Sequence, residues 1–123
     1  MPKILVTDEQ VGGADAVWQA LHCLGYDVLC VQDKEEALAS FSEIQPDLVI
    51  TDLVSPGLDG FTFIRKVKTF SPKVPVIVVS GSLDQEKMAK ATQAGALYCL
   101  SKPFAVEVLW GIVEKALDGV SLM

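Results

Sequence analysis

The chain alternates short apolar runs with longer stretches in which apolar residues follow a helical period. Five runs rich in Val, Ile and Leu show little alternation, which is typical of strands buried on both faces of a parallel sheet. The predicted strands are Lys3–Thr7, Asp27–Val31, Asp47–Thr51, Val74–Val79 and Ala96–Leu100. Strands that alternate with helices predict βαβ units with right-handed crossovers, and therefore an α/β domain.

Five helices are predicted, one after each strand. Leu38, Phe41 and Ile44 predict one face of a single second helix, and similar spacings mark the others. The predicted N-caps are Asp33, Asp59 and Asp84, and the predicted helix ends are Gly25 and Gly95. We expect one domain over residues 1–118, followed by a C-terminal tail, residues 119–123.

Composition narrows the class of protein. Hydrophobic residues make up 50% of the 123 residues, enough for a real core. The net charge is −6 with no basic stripe, which argues against a nucleic-acid surface. No apolar run approaches the ~20 residues of a membrane span, and the N-terminus lacks a signal-peptide pattern, so we expect a cytoplasmic protein. The three cysteines show no C-x-x-C spacing and are expected to be buried thiols.

Polar side chains stand where four of the predicted strands end. Asp8 and Glu9 follow the first strand, Asp52 the third, Ser80 the fourth and Lys102 the fifth. In an open parallel sheet the ligand site lies outside the carboxyl ends of the strands. If the first and third strands are neighbours, three carboxylates converge there, and such a cluster suits Mg²⁺.

This set of groups fits phosphoryl chemistry, which depends on positioning and charge neutralisation. A carboxylate can accept a phosphoryl group as an aspartyl phosphate, and Asp52 at the end of a rigid strand is the natural candidate. Any one of these residues alone would more often be a cap or a solvated side chain. Their combination at the strand ends favours a site.

The chain resembles the response regulator receiver domain, the phospho-acceptor of two-component signalling. The resemblance runs through "KILVTDE", "GYDV", "PDLVITDLVSPGLDG", "VPVIVVSG" and "AGALYCLSKPF". It implies a flavodoxin-like doubly wound (βα)5 sandwich with the sheet order 2-1-3-4-5. It also implies a protein that is no metabolic enzyme but catalyses its own phosphorylation and dephosphorylation, with a histidine kinase or phosphotransfer protein as its partner.

The resemblance assigns roles to individual residues. Asp52 would be phosphorylated, Ser80 would move toward the phosphoryl group, and Lys102 would pair with a phosphoryl oxygen. The bond before Pro103 would be cis. The implied ligands of Mg²⁺ are Asp8, Glu9, Asp52 and the backbone carbonyl of Val54.

Two positions depart from the usual family pattern. Glu9 stands where a second Asp is common. Cys99 stands where a switch aromatic, Tyr or Phe, is usual, and Tyr98 lies on the opposite face of the strand because successive side chains alternate. We therefore expect the aromatic part of the switch to be missing or rebuilt.

The last helix offers a possible interface. Val108 and Ile112 are spaced by four and are expected to lie off the buried face, where they could contact a partner or a second copy. In receiver domains the face formed by the fourth helix, the fifth strand and the fifth helix commonly binds a dimer mate or an effector. Scattered surface residues are an equal alternative.

Two other functions compete with a switching phospho-acceptor. One is a pseudo-receiver, an interaction module with impaired switching, which Cys99 favours and the Asp52–Lys102 set opposes. The other is a flavodoxin-like cofactor binder or an aspartate-based phosphatase. Against it, no Gly-rich phosphate loop follows the first strand, and Asp52-Leu53-Val54 lacks the second Asp of a D-x-D motif.

Overall fold

The structure is a computed structural model that describes residues 1–7, 13–53 and 57–119; for residues 13–15 it describes the backbone. The strands are β1 (Lys3–Thr7), β2 (Asp27–Cys30), β3 (Leu48–Thr51), β4 (Val76–Ser80) and β5 (Tyr98–Ser101). The helices are α1 (Gly13–His22), α2 (Lys34–Ala39), α3 (Phe41–Ile44), α4 (Gly60–Phe70), α5 (Gln85–Ala94) and α6 (Val106–Leu117). Within these ranges no helix is long and apolar enough to cross a membrane.

The five strands form one parallel sheet in the order β2-β1-β3-β4-β5. This order confirms the predicted flavodoxin-like fold. Because all strands run in the same direction, the carboxyl ends of β1 and β3 lie side by side, and those of β4 and β5 follow along the same edge.

The sheet divides the core into two clusters of buried apolar side chains. The first core cluster includes Leu5 and Val49 and packs against α2, α3, α4 and α5. The second core cluster includes Leu48 and Ile50 and packs against α1 and α6. Neighbouring residues of one strand serve opposite clusters because side chains alternate along a strand.

The two edges of the sheet differ from the sequence-based expectation. The central strands β1, β3 and β4 are buried almost throughout, but β2 is mostly exposed and β5 is only half-buried. An edge strand has a neighbour on one side only, so an apolar run does not guarantee burial there. The prediction of buried thiols is therefore wrong for Cys30 on β2 and for Cys23 after α1, both exposed; none of the three cysteines forms a disulfide.

The second predicted helix is two helices rather than one. It breaks at Ser40, whose φ of −100° and ψ of 4° leave the helical range and whose N–H donates to the carbonyl groups of Glu36 and Leu38. Serine competes locally for backbone hydrogen bonds and weakens a helix interior. The apolar spacing survives the break, which is why periodicity alone predicted a single helix.

The predicted N-caps are confirmed. The side chains of Asp33, Asp59 and Asp84 accept hydrogen bonds from backbone N–H groups in the first turns of α2, α4 and α5. Each satisfies a donor that a helix start leaves without an intrahelical partner.

One of the two predicted interface residues on α6 is buried. Ile112 is buried, with 7% of its surface exposed, and packs in the second core cluster, whereas Val108 is 47% exposed. Ile112 precedes Ala116 by four residues and adjoins Val113, so it falls within the wide apolar stripe of a core-facing helix. The prediction that Ile112 lies off the buried face is therefore wrong, because the buried stripe of α6 is wide enough to include it.

Candidate functional site

The carboxyl edge of the sheet carries the predicted site residues that the structure describes. Thr7 pairs with Thr51 across β1 and β3, and Asp52 follows directly, with its N–H donating to the Thr7 carbonyl at 3.3 Å. Ser80 pairs with Ser101 across β4 and β5. The sheet thus holds the main chains of these strand ends in a fixed order.

Asp52 is buried, with 4% of its surface exposed, and its carboxylate forms an ion pair with the ammonium of Lys34. The Nζ of Lys34 donates to the Oδ1 atom of Asp52, and Lys34 itself has no exposed surface. A charge inside a protein is costly unless it is paired and hydrogen-bonded. The ion pair therefore offsets part of the cost of burying the two charges.

Lys34 is the site residue that sequence reasoning missed. It is the first residue of α2, held after the N-cap Asp33 and followed by two exposed glutamates, which makes it resemble a solvated lysine at a helix start. The signal that could have found it is the strand-end rule applied to β2, which leads to Asp33 and Lys34 a few residues past that strand.

Two threonine hydroxyls hydrogen-bond to each other and to the main chain of Asp52. Thr7 Oγ1 donates to Thr51 Oγ1 at 2.8 Å, and Thr51 Oγ1 donates to the backbone carbonyl of Asp52 at 3.0 Å. Both threonines are buried. These two hydrogen bonds join the ends of β1 and β3 and fix the main chain from which the Asp52 carboxylate extends.

Gly60 allows α4 to approach the acid. A Cβ atom at this position would lie 2.5 Å from the carbonyl oxygen of Asp52 and 2.5 Å from Cα of Leu53. The N–H of Gly60 donates to the Leu53 carbonyl at 3.1 Å. Only glycine fits where two main chains come this close.

Ser80 ends β4 and is buried, with 4% of its surface exposed. Its Oγ accepts a long hydrogen bond, 3.4 Å, from the N–H of Ser82. The Nζ of Lys87 donates to the Ser82 carbonyl at 2.9 Å, which ties the loop after β4 to α5. The hydroxyl is thus held beside a turn whose far side is anchored to a helix.

Lys102 lies one residue beyond β5 and is half-buried. Its N–H donates to the Ser80 carbonyl at 2.9 Å, so the main chains of these two predicted site residues are directly joined. The Lys102–Pro103 peptide bond is cis.

Cys99 and Tyr98 serve opposite faces of the sheet. Cys99 packs against the first core cluster and Tyr98 against the second. Burial raises the pKa of the Cys99 thiol, which keeps it protonated. Tyr98 therefore does not fill the space on the Cys99 side.

The predicted metal ligands are described only in part. Asp8, Glu9 and Val54 lie outside the described residues. Asp52 supplies one hard carboxylate oxygen of the kind that Mg²⁺ takes. Residues 1–7, 13–53 and 57–119 contain no cluster of three or more His, Cys, Asp or Glu side chains that could hold a metal. Asp52 fits one ligand position of a magnesium site, and Asp8, Glu9 and the Val54 carbonyl stay predicted ligands.

A doubly wound parallel sheet with a buried acid–lysine pair at its carboxyl edge defines a flavodoxin-like domain with a charged site. The sequence profile of the response regulator receiver domain matches residues 4–114. The chain belongs to this family, whose members act in two-component signalling and interact with histidine kinases.

Individual relatives agree with the family. The chain is 33% identical over 115 residues to the C4-dicarboxylate transport transcriptional regulatory protein DctD of Rhizobium meliloti (strain 1021), a match that covers 94% of this chain and 25% of DctD. The chain therefore spans about a quarter of that relative.

Solved receiver structures superpose closely. The chemotaxis protein CheY4 of Vibrio cholerae gives a TM-score of 0.88 at 29% identity, over 94% of this chain and 98% of CheY4. A CheY-like receiver domain protein from Methanospirillum hungatei JF-1 gives 0.91 at 25% identity, over 97% and 95% of the two chains.

Proposed function

We propose that this receiver domain accepts a phosphoryl group on Asp52. The observation that carries the proposal is a buried carboxylate at the end of a central strand, in contact with a cation. A buried ion pair contributes little net stability, whereas phosphoryl transfer requires a fixed acceptor among positive charges. The donor would be a histidine kinase or a phosphotransfer protein.

In the transfer, a carboxylate oxygen of Asp52 forms a bond to phosphorus, and the bond between phosphorus and the donor's imidazole nitrogen breaks. Magnesium, held by Asp52 with Asp8, Glu9 and the Val54 carbonyl, would neutralise the phosphoryl oxygens. Lys102 would pair with a phosphoryl oxygen, and the hydroxyl of Ser80 would donate to another.

The output of the switch is also a proposal. The face formed by α5, β5 and α6 would bind a second copy or an effector, with Val108 exposed on it and Ile112 inside the core. With Cys99 in place of an aromatic ring, Ser80 would have to transmit the change without it. We further propose that the domain is cytoplasmic and extends over residues 1–118, with a tail from residue 119.

The test is the mass of the intact protein after treatment with acetyl phosphate and Mg²⁺. Wild type is expected to gain one phosphoryl group, and Asp52→Asn none. Asp84→Asn is the matched control, because it removes a carboxylate that only caps α5. A phosphoryl adduct that persists in Asp52→Asn would contradict the proposal. Sedimentation of the same treated sample shows whether the adduct changes the oligomeric state.

A further inference from the structure

The most unusual feature of the site is that its central acid already has a cation from the chain itself. Lys34 Nζ contacts Asp52 Oδ1, and the side chain of Lys34 is inaccessible to solvent. The Lys34 side chain is therefore part of the packed interior, unlike a solvated lysine that reaches the site from the surface.

A divalent ion bound to Asp52 would meet this ammonium. One of the two carboxylate oxygens already accepts from Lys34, and a metal must take lone pairs from the same carboxylate. Two cations on one carboxylate also repel each other, and burial reduces the screening between them.

We propose that Lys34 is a resident counter-ion of Asp52 that competes with the divalent ion for its carboxylate. This inference rests on the proposed function, since it takes Asp52 as the metal ligand and phospho-acceptor. Lys34 would then set how much Mg²⁺ the domain needs before Asp52 can be phosphorylated. The alternative is a purely structural ion pair that leaves metal binding unaffected.

The location of Lys34 makes this role separable from that of Lys102. Lys34 begins α2, beyond the edge strand β2, and approaches Asp52 from the β1 side of the sheet. Lys102 follows β5 at the other side. Lys34→Met therefore removes one cation without substituting Lys102 or any other predicted site residue.

The test compares Mg²⁺ affinity in wild type and Lys34→Met, from backbone amide NMR shifts during a MgCl₂ titration without phosphodonor. Methionine keeps a long apolar side chain in the buried space but has no charge. A unit charge a few ångströms from a divalent ion weakens its binding by roughly tenfold even with strong screening. We expect Lys34→Met to bind Mg²⁺ at least about tenfold more tightly.

The matched control is Lys66→Met, which makes the same substitution at an exposed position of α4. It changes the net charge equally and is expected to leave Mg²⁺ affinity within about twofold of wild type, because solvent and salt screen an exposed charge. Equal affinity in Lys34→Met and wild type, or weaker affinity in Lys34→Met, would overturn the inference.

A second measurement needs no variant, so it holds even if Lys34→Met fails to fold. The side-chain ¹⁵Nζ resonance of Lys34 in wild type should shift as Mg²⁺ saturates the site, since competition moves the ammonium away from Asp52. An unchanged resonance at saturation would show that the ion pair persists and would refute competition.

The inference and the proposed function fail in different ways. If wild type is phosphorylated on Asp52 but the affinity comparison or the ¹⁵Nζ shift is negative, only the inference fails. If wild type neither binds Mg²⁺ nor is phosphorylated, the proposed function is refuted.

Discussion

At the scale of single residues, the Lys34–Asp52 ion pair is expected to add little to the free energy of unfolding. The desolvation cost of two buried ions can match their mutual attraction, so such pairs are weak evidence for stability. Removing one partner is different, because the other charge is left in a site that excludes water. The proposed role of Asp52 as a phospho-acceptor would account for a buried pair that contributes little to stability.

Gly60 gives a prediction at the same scale. Gly60→Ala places a Cβ atom 2.5 Å from two main-chain atoms of residues 52 and 53, neither of which can move cheaply. We expect the free energy of unfolding to fall by about 1–3 kcal/mol, the range for overpacking. Urea unfolding measures it.

The control for this substitution is Gly111→Ala in α6, where a Cβ atom would meet nothing within 4 Å. Alanine is the better helix former, so Gly111→Ala should raise the free energy of unfolding by up to about 1 kcal/mol. Equal effects at the two glycines would show that close approach at Gly60 is unimportant.

At the scale of elements, the helix starts carry the clearest local chemistry. The backbone N–H of Thr62 is the main cause that lowers the pKa of Asp59 below its ordinary value of 3.8, and the Thr62 hydroxyl adds a second hydrogen bond. The charged form of Asp59 is therefore favoured in the folded state, and its contribution to stability belongs to the pH range in which it is ionised.

Asp59→Ala is expected to lower the free energy of unfolding by about 1 kcal/mol at neutral pH. A lowered folded pKa means that this contribution is complete above the unfolded value of 3.8 and is lost as the pH falls through the folded pKa. The difference between wild type and Asp59→Ala should thus be constant down to about pH 5 and shrink below it. Urea unfolding at a series of pH values measures the difference.

Asp59→Asn serves as the control, because its amide oxygen can still cap α4 but does not titrate. Its stability relative to Asp59→Ala should lack this pH dependence. If wild type and Asp59→Asn lose stability in parallel as the pH falls, Asp59 does not carry the effect.

The elements also show what the sequence could reveal. Apolar runs and capping residues predicted the strands, their alternation with helices and three N-caps, because these depend on local chemistry. The exposure of β2 depends on its position at the sheet edge, which an apolar run does not reveal. The break at Ser40 and the burial of Ile112 are local features that apolar spacing alone does not resolve. The strand-end rule located Asp52, Ser80 and Lys102, but the conformation of a long lysine side chain leaves no periodic signal, so Lys34 was missed.

At the scale of the whole molecule, the site lies at the edge of the sheet that separates the two core clusters. The Asp52 main chain continues from β3, whose alternate side chains belong to both clusters. A sheet shared in this way should transmit loss of packing on either face to the other, so the domain should unfold in one cooperative transition.

Leu5→Ala and Leu48→Ala test this as a matched pair. Both leucines are fully buried on adjacent central strands, but Leu5 belongs to the first core cluster and Leu48 to the second. Each substitution should lower the free energy of unfolding by about 2–5 kcal/mol. Both tryptophans, Trp18 on α1 and Trp110 on α6, lie on the helices that pack against the second cluster, so tryptophan fluorescence reports that face. Far-ultraviolet circular dichroism reports all elements. We expect the unfolding midpoints from fluorescence and from dichroism to shift together in both variants, because β1 and β3 contribute side chains to both clusters. If Leu5→Ala shifts the dichroism midpoint but not the fluorescence midpoint, the two faces unfold separately.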